Sequence, residues 1–173
     1  MRTVVLCSRD GVISDDSSPD KEISFLEDAV EGIKVINKIP DSYFIIFDSS
    51  EQPKSDEFAG YFVQKLASLD AKVDGYINSP DLDADIVRKA LDSLDTSTTS
   101  CLLYVIGDNV RTIEKGVRVG GIGILIESLK ITEEDRELVK KFDKHAEIMA
   151  NILKAAEYMC KRRDIYRRIG RIE

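Results

Sequence analysis

The sequence predicts an α/β fold, a parallel sheet with helices on both faces. Three observations carry this. Short strand-like runs alternate with amphipathic helical stretches from Thr3 to Ile126. The longest apolar runs, Val4 to Cys7, Tyr43 to Phe47 and Cys101 to Ile106, are bounded by turn-forming residues and have the length of buried strands. The chain of 173 residues has the size of one domain and shows no internal repeat or low-complexity linker.

The elements follow in order. Thr3 to Cys7 reads as the first strand. Phe25 to Asn37 places Leu26, Ala29, Val30, Ile33 and Ile36 at helical spacing. Tyr43 to Phe47 is a buried strand between Pro40-Asp41 and Asp48-Ser49-Ser50. Asp56 to Leu69 is a helix with Phe58, Tyr61, Phe62, Leu66 and Leu69 along one side. Ala71 to Ile77 is a short strand weakened by Gly75, and Leu82 to Leu94 a helix. Leu102 to Ile106, Asn109 to Val119 and Ile122 to Ile126 supply a strand, a helix and a last strand. Right-handed crossovers then leave few topologies.

From Thr132 the pattern changes. Thr132 and Asp135 form a variant capping box at a helix start. Phe142, Ala146, Met149, Leu153, Ala156 and Cys160 then recur at steps of four and three, over about three heptads. One long helix, or two, across the sheet edge satisfies this spacing, and so does a subunit seam. The stripe would run about 27 Å at 1.5 Å per residue, longer than a five-residue strand of about 17 Å. A homodimer through a helix from about Glu134 to Arg168 is therefore expected. The two parts are a core of residues 1–130 and a helical extension of residues 131–173.

The 25 basic and 32 acidic residues give a net charge of -7, and 43% of residues are hydrophobic. This composition excludes a disordered chain. No apolar run approaches the ~18 residues of a membrane span. The amino terminus runs straight into a strand, so no signal peptide is expected. Cys7, Cys101 and Cys160 are far apart and odd in number, and His145 is the single histidine. Neither a disulfide framework nor a zinc site follows, and reduced thiols in the cytoplasm are expected. Residues 161–173 carry a net charge of +4, leaving -11 on residues 1–160. A basic helix end complements the helix dipole. An acidic partner is its alternative use, and one aromatic, Tyr166, gives little support for nucleic acid.

The chemistry-bearing residues sit at strand ends. The first strand ends in Cys7-Ser8-Arg9-Asp10-Gly11-Val12-Ile13, the fourth in Val105-Ile106-Gly107-Asp108-Asn109. In an open parallel sheet, ligands bind outside the carboxyl ends of strands where the strand order reverses. If strand one is central and strand four its neighbour, Asp10 and Asp108 meet there and suit a hard cation such as Mg²⁺. Asp-Gly is equally a common turn.

Leu6 to Ile13 resembles the first motif of the haloacid-dehalogenase (HAD) superfamily, most nearly that of the capless histidinol-phosphate and heptose-bisphosphate phosphatases. Val105 to Asn109 resembles the fourth motif, followed by Ile113 to Gly116, the Gly120-Gly121 turn and the strand Ile122 to Ile126. The resemblance covers about residues 2–127. It implies a doubly wound, Rossmann-like, five-stranded sheet of order 3-2-1-4-5, a flap hairpin at Val12 to Phe25 with Asp15 to Asp20 at its tip, and no cap domain. It also implies a small phosphate ester as the ligand class.

Several positions depart from the pattern. The family's nucleophilic aspartate falls on Ser8, and its general acid/base on Asp10. The phosphate-binding hydroxyl position after strand two falls on Asp48, with Ser49 one place late. The phosphate-pairing lysine falls on Asp81, and the second acid of the fourth motif on Thr112. The heptose group's zinc-binding Cys/His loop has no counterpart. Asp10, Asp48, Asp81 and Asp108 would then ring one crevice with negative charge. Of the family's metal ligands, the Asp10 carbonyl and Asp108 remain, so Mg²⁺ binding is expected to be weak. A serine without an adjacent base is a poor nucleophile at neutral pH. Phosphoryl transfer depends on positioning and charge stabilisation, so the expectation is a phosphatase-like protein with little or no activity that serves in binding or assembly. The alternative is an Mg²⁺-dependent hydrolase with an altered site.

Overall fold

The computed structural model describes residues 1–15, 22–50 and 54–171. The elements are β1 (Arg2–Ser8), α1 (Ala29–Asn37), β2 (Ser42–Asp48), α2 (Asp56–Ser68), β3 (Gly75–Asn78), α3 (Ala84–Asp92), β4 (Cys101–Gly107), α4 (Val110–Arg118), β5 (Ile122–Ile126), α5 (Glu133–Lys140), β6 (Ala146–Met149) and α6 (Ile152–Arg168). The strands form one sheet in the order β3-β2-β1-β4-β5-β6. All pairings are parallel, with β1 central between β2 and β4. The order expected for the first five strands is observed, and a sixth is added.

Period-two alternation divides the core into two layers. Val5, Cys7, Phe44, Ile46, Tyr104 and Ile106 pack under α1, α2 and α6. Val4, Leu6, Ile45, Phe47, Leu103 and Val105 pack under α3 on the other face. Ile113 of α4, Leu125 and Val139 of α5 extend this second layer.

Helix starts follow local chemistry. Ser55, Asp83 and Asn109 each accept a hydrogen bond from the backbone N–H three residues on, which satisfies a donor left open by the first turn. The expected capping box at Thr132 and Asp135 is formed in both directions. The first helix begins at Ala29 rather than Phe25, because Phe25 bridges Ser14 and the Leu26 N–H donates to the Ile13 carbonyl. These contacts form the base of the expected flap. Most of its tip, residues 16–20, lies outside the described residues.

The carboxyl-terminal part differs most from expectation. The helix expected from about Glu134 to Arg168 is broken into α5, a 3-10 turn at Asp143–His145, β6 and α6. Asp143 takes a left-handed φ of 51°. Ala146 to Met149 then pair with Gly123 to Ile126, covering an edge of β5 that would otherwise be open. Asn151 caps α6 by accepting from the Lys154 N–H. Residues 131–173 are thus not a purely helical extension, since they complete the sheet. The 27 Å stripe that motivated a dimer does not exist as one face. On α6, which packs against the chain's own α1, the stripe's Ala156 is fully buried with its neighbours Ile152 and Ala155, while Leu153 and Cys160 are half-buried. A Cβ at Gly32 of α1 would lie 2.6 Å from backbone atoms of Ile152 and Leu153, so the two helices meet backbone to backbone there.

Part of the basic end is structural. Arg163 is buried and donates to Thr3 Oγ1 at 3.1 Å and to the Met1 carbonyl at 3.3 Å. Arg162 lies over the rings of Tyr158 and Tyr166. Among the described residues, no helix is long and apolar enough to cross a membrane.

Candidate functional site

Four parallel strands release their carboxyl ends side by side, and the expected residues leave from there. Ser8 ends β1 and is 4% exposed. Asp10 follows, partly buried and bridged to Ser14. Asp108 leaves β4, the neighbour of β1. A Cβ on Gly11 would run into the Asp108 carboxylate, and φ at Gly11 is +75°. Glycine is therefore needed there for both conformation and space. With β4 beside β1, the turn after β1 and the Asp108 side chain meet.

Asp48 is different. It ends β2, but its side chain shares the sheet face of Cys7 and Ile46, opposite to that of Leu6 and Phe47. There it accepts from Arg9 Nε and from the Tyr76 hydroxyl, both at 2.6 Å, and from the Ser50 N–H at 3.1 Å. The Arg9 and Asp48 side chains are each 1% exposed. Arg9 also donates to Ser14 Oγ at 3.2 Å and lies over Phe58 and Phe62. Burial pushes the Asp48 carboxyl up, but the hydrogen bonds from Arg9 and Tyr76 and the guanidinium charge outweigh it and hold the carboxyl below its usual range. Burial, followed by the hydrogen bond to Asp48, pushes the Tyr76 phenol far up. Asp48 is thus committed to an internal ion pair and does not occupy the phosphate-binding position expected of it. Ser49, one residue later, lines a small cavity on the site side with Asp81, Asn109, Thr112 and Lys115.

The expected ring of uncompensated carboxylates is also absent. Asp81, on the loop after β3, is paired with Lys115 and with Arg111 Nη2, the latter at 3.3 Å. The hydrogen bond from Lys115 holds the Asp81 carboxyl below its usual range. Thr112 fills the space beside Gly107, where a Cβ would lie 2.7 Å from its methyl group.

The sequence reading missed Arg9, Tyr76, Arg111 and Lys115. A lone arginine at the end of an apolar strand signals a buried partner, because an unpaired buried charge is too costly. The four-residue spacing of Arg111 and Lys115 puts both on one helical face. His145 precedes β6, at the end of the parallel sheet opposite the site.

The donor set for a divalent cation is small. Asp10 opens the turn after β1 and the Asp108 carboxylate meets that turn at Gly11, and no group of three metal-ligating side chains occurs among the described residues. Mg²⁺ is commonly held by one or two carboxylates with several retained waters, which this pair fits.

No family model matches the chain, and no curated protein matches it. Solved structures do. D,D-heptose 1,7-bisphosphate phosphatase from B. bronchiseptica, complexed with magnesium and phosphate, superposes with a TM-score of 0.70 at 15% identity, covering 92% of this chain and 99% of that one. The same enzyme from Burkholderia thailandensis gives 0.62 at 16% identity, with 92% and 99% covered. A haloacid-dehalogenase-like family protein from Streptococcus pneumoniae gives 0.66 at 14% identity, with 91% and 98% covered. With β1 central between β2 and β4 and these likenesses over more than nine tenths of its length, the chain has the haloacid-dehalogenase fold.

Proposed function

We propose that this chain is a haloacid-dehalogenase-fold protein that has lost phosphomonoester turnover and serves as a binding module. The observation that supports this reading is Ser8. By its resemblance to the first motif Ser8 falls where the family has its nucleophile; it is buried, and the motif around it, Cys7-Ser8-Arg9-Asp10, offers no histidine or lysine as a base. A serine in that setting stays protonated at neutral pH. The only histidine lies at the far end of the sheet, and the second acid of the fourth motif is the buried Thr112.

The chain's remaining residues can hold rather than transform. Asp108 and the Asp10 carbonyl would hold Mg²⁺, which would supply charge neutralisation to a bound anion. Gly11 allows the close approach of the turn to that carboxylate. The basic carboxyl end contributes less to partner binding than its charge suggests, because Arg162 and Arg163 are engaged within the chain.

The test is hydrolysis of a generic phosphate ester with and without Mg²⁺, comparing the parent with Asp10→Asn. The expected result is no turnover above the uncatalysed rate in either protein. Mg²⁺-dependent hydrolysis that disappears in Asp10→Asn would overturn the proposal and establish an altered-site hydrolase.

A further inference from the structure

The amino end of the sheet, opposite the Ser8 crevice, carries a different set of cations. Lys38 follows α1, and Arg163 and Arg167 lie on α6. Together they line a cavity of about 460 Å³, within the size range of small-molecule sites. Val35, Ile39, Pro40 and Cys160 give it an apolar wall.

Arg163 is the unusual member. It is 8% exposed, yet no carboxylate among the described residues pairs with it. Its Nη1 donates to Thr3 Oγ1 at 3.1 Å and to the Met1 carbonyl at 3.3 Å, both neutral acceptors. Nε and Nη2 have no acceptor among the described residues, and the residue lines the cavity. A buried guanidinium without an anion is costly, because nothing offsets the loss of its water. The Nε–Nη2 edge is a planar fork that matches the two oxygens of a carboxylate.

The surrounding charge does not supply that anion. Among the described residues, Asp164 is the one acid lining the cavity, and it is exposed, within a turn of Arg167 and Arg168. Asp41, at the start of β2, is paired with Arg2, and Glu157 on α6 with Lys154. The carboxyl ends of α1 and α6 add partial negative charge, which Lys38 and Arg167 complement. Arg163 lies more than a turn inside α6 and is left over.

We propose that this cavity binds a small organic carboxylate with an apolar body. The carboxylate takes the Nε–Nη2 edge of Arg163, with the exposed Lys38 and Arg167 at the mouth. The body lies against Val35, Ile39 and Pro40. The site is independent of the Ser8 crevice and calls for neither Mg²⁺ nor a phosphate group.

Titration calorimetry with decanoate tests it, with decanol as the uncharged control. Decanoate should bind, and decanol should bind at least about tenfold more weakly, the scale of a hydrogen bond to a charged group. Cys160 reports on the place. It is half-buried in the cavity wall, whereas Cys7 and Cys101 are buried. Decanoate should slow its alkylation by iodoacetamide, and decanol at the same concentration should not. Arg163→Lys keeps the charge and a donor for Thr3 and Met1 but loses the fork, so it should weaken decanoate about tenfold. Val35→Glu puts a carboxylate on the apolar wall and should abolish binding. Circular dichroism checks the fold of each variant. The proposal is overturned if decanoate does not bind, if decanol binds as tightly, or if decanoate leaves Cys160 alkylation unchanged. A folded Arg163→Lys or Val35→Glu that binds decanoate like the parent also overturns it. Where neither variant folds, the Cys160 measurement on the parent decides.

Discussion

Replacing Asp48 by alanine should destabilise the protein by about 3–5 kcal/mol, the range for removing one partner of a buried ion pair. The geometry places this pair within that range. Arg9 and Asp48 are each 1% exposed, and Nε lies 2.6 Å from the carboxylate. In Asp48→Ala the guanidinium keeps Ser14 and the rings of Phe58 and Phe62 but loses the Asp48 carboxylate. The Tyr76 hydroxyl loses the acceptor it holds at 2.6 Å. For a chain of this size, each kcal/mol lowers the melting temperature by roughly 2–4 °C, so a drop on the order of 10 °C is expected. Urea unfolding followed by circular dichroism measures the difference. The double variant Arg9→Met/Asp48→Leu removes both charges, and most of the loss should be recovered in it.

The pH dependence has a definite sign. The Asp48 carboxyl is held below its usual range in the folded protein, so its contribution is complete above the unfolded value of about 3.9. It is lost as pH falls through the lower folded value. The gap between parent and Asp48→Ala should therefore be full at pH 7 and shrink below about pH 4. A loss under about 1 kcal/mol at pH 7, or a double variant no more stable than Asp48→Ala, would refute this account of the pair.

Three further outcomes follow from the same structure. Gly32→Ala should cost about 1–3 kcal/mol in urea unfolding, since its methyl would lie 2.6 Å from the α6 backbone and the helices must separate. Thr132→Ala, which removes half of the capping box on α5, should cost about 1 kcal/mol, and Thr132→Ser should restore most of it. Arg163→Ala should destabilise by about 1–3 kcal/mol through its lost bonds to Thr3 and Met1, with faster amide exchange at the start of β1 as the local signature.

The sequence by itself determined the succession of five strands and the helices between them, because apolar runs and helical spacing are local, and α2, α3 and α4 each start on a nearby capping side chain. It also determined Ser8, Asp10 and Asp108 as strand-end residues, since leaving an apolar run beside a glycine is a local property. Their meeting required β1 to lie between β2 and β4, which the family resemblance implied and the strand pairing shows. The tertiary structure alone decided the rest. Ala146 to Met149 carry a helical spacing yet form β6, because the open edge of β5 supplies backbone partners that a helix would forgo. Asp48 and Ser49 are adjacent in sequence, but a one-residue step in a strand reverses the face. That step sends the Asp48 carboxylate to Arg9 and leaves Ser49 beside the small cavity. Asp81 lies 34 residues from Lys115 along the chain, and only the packing of α4 beside the β3 loop brings the two charges together.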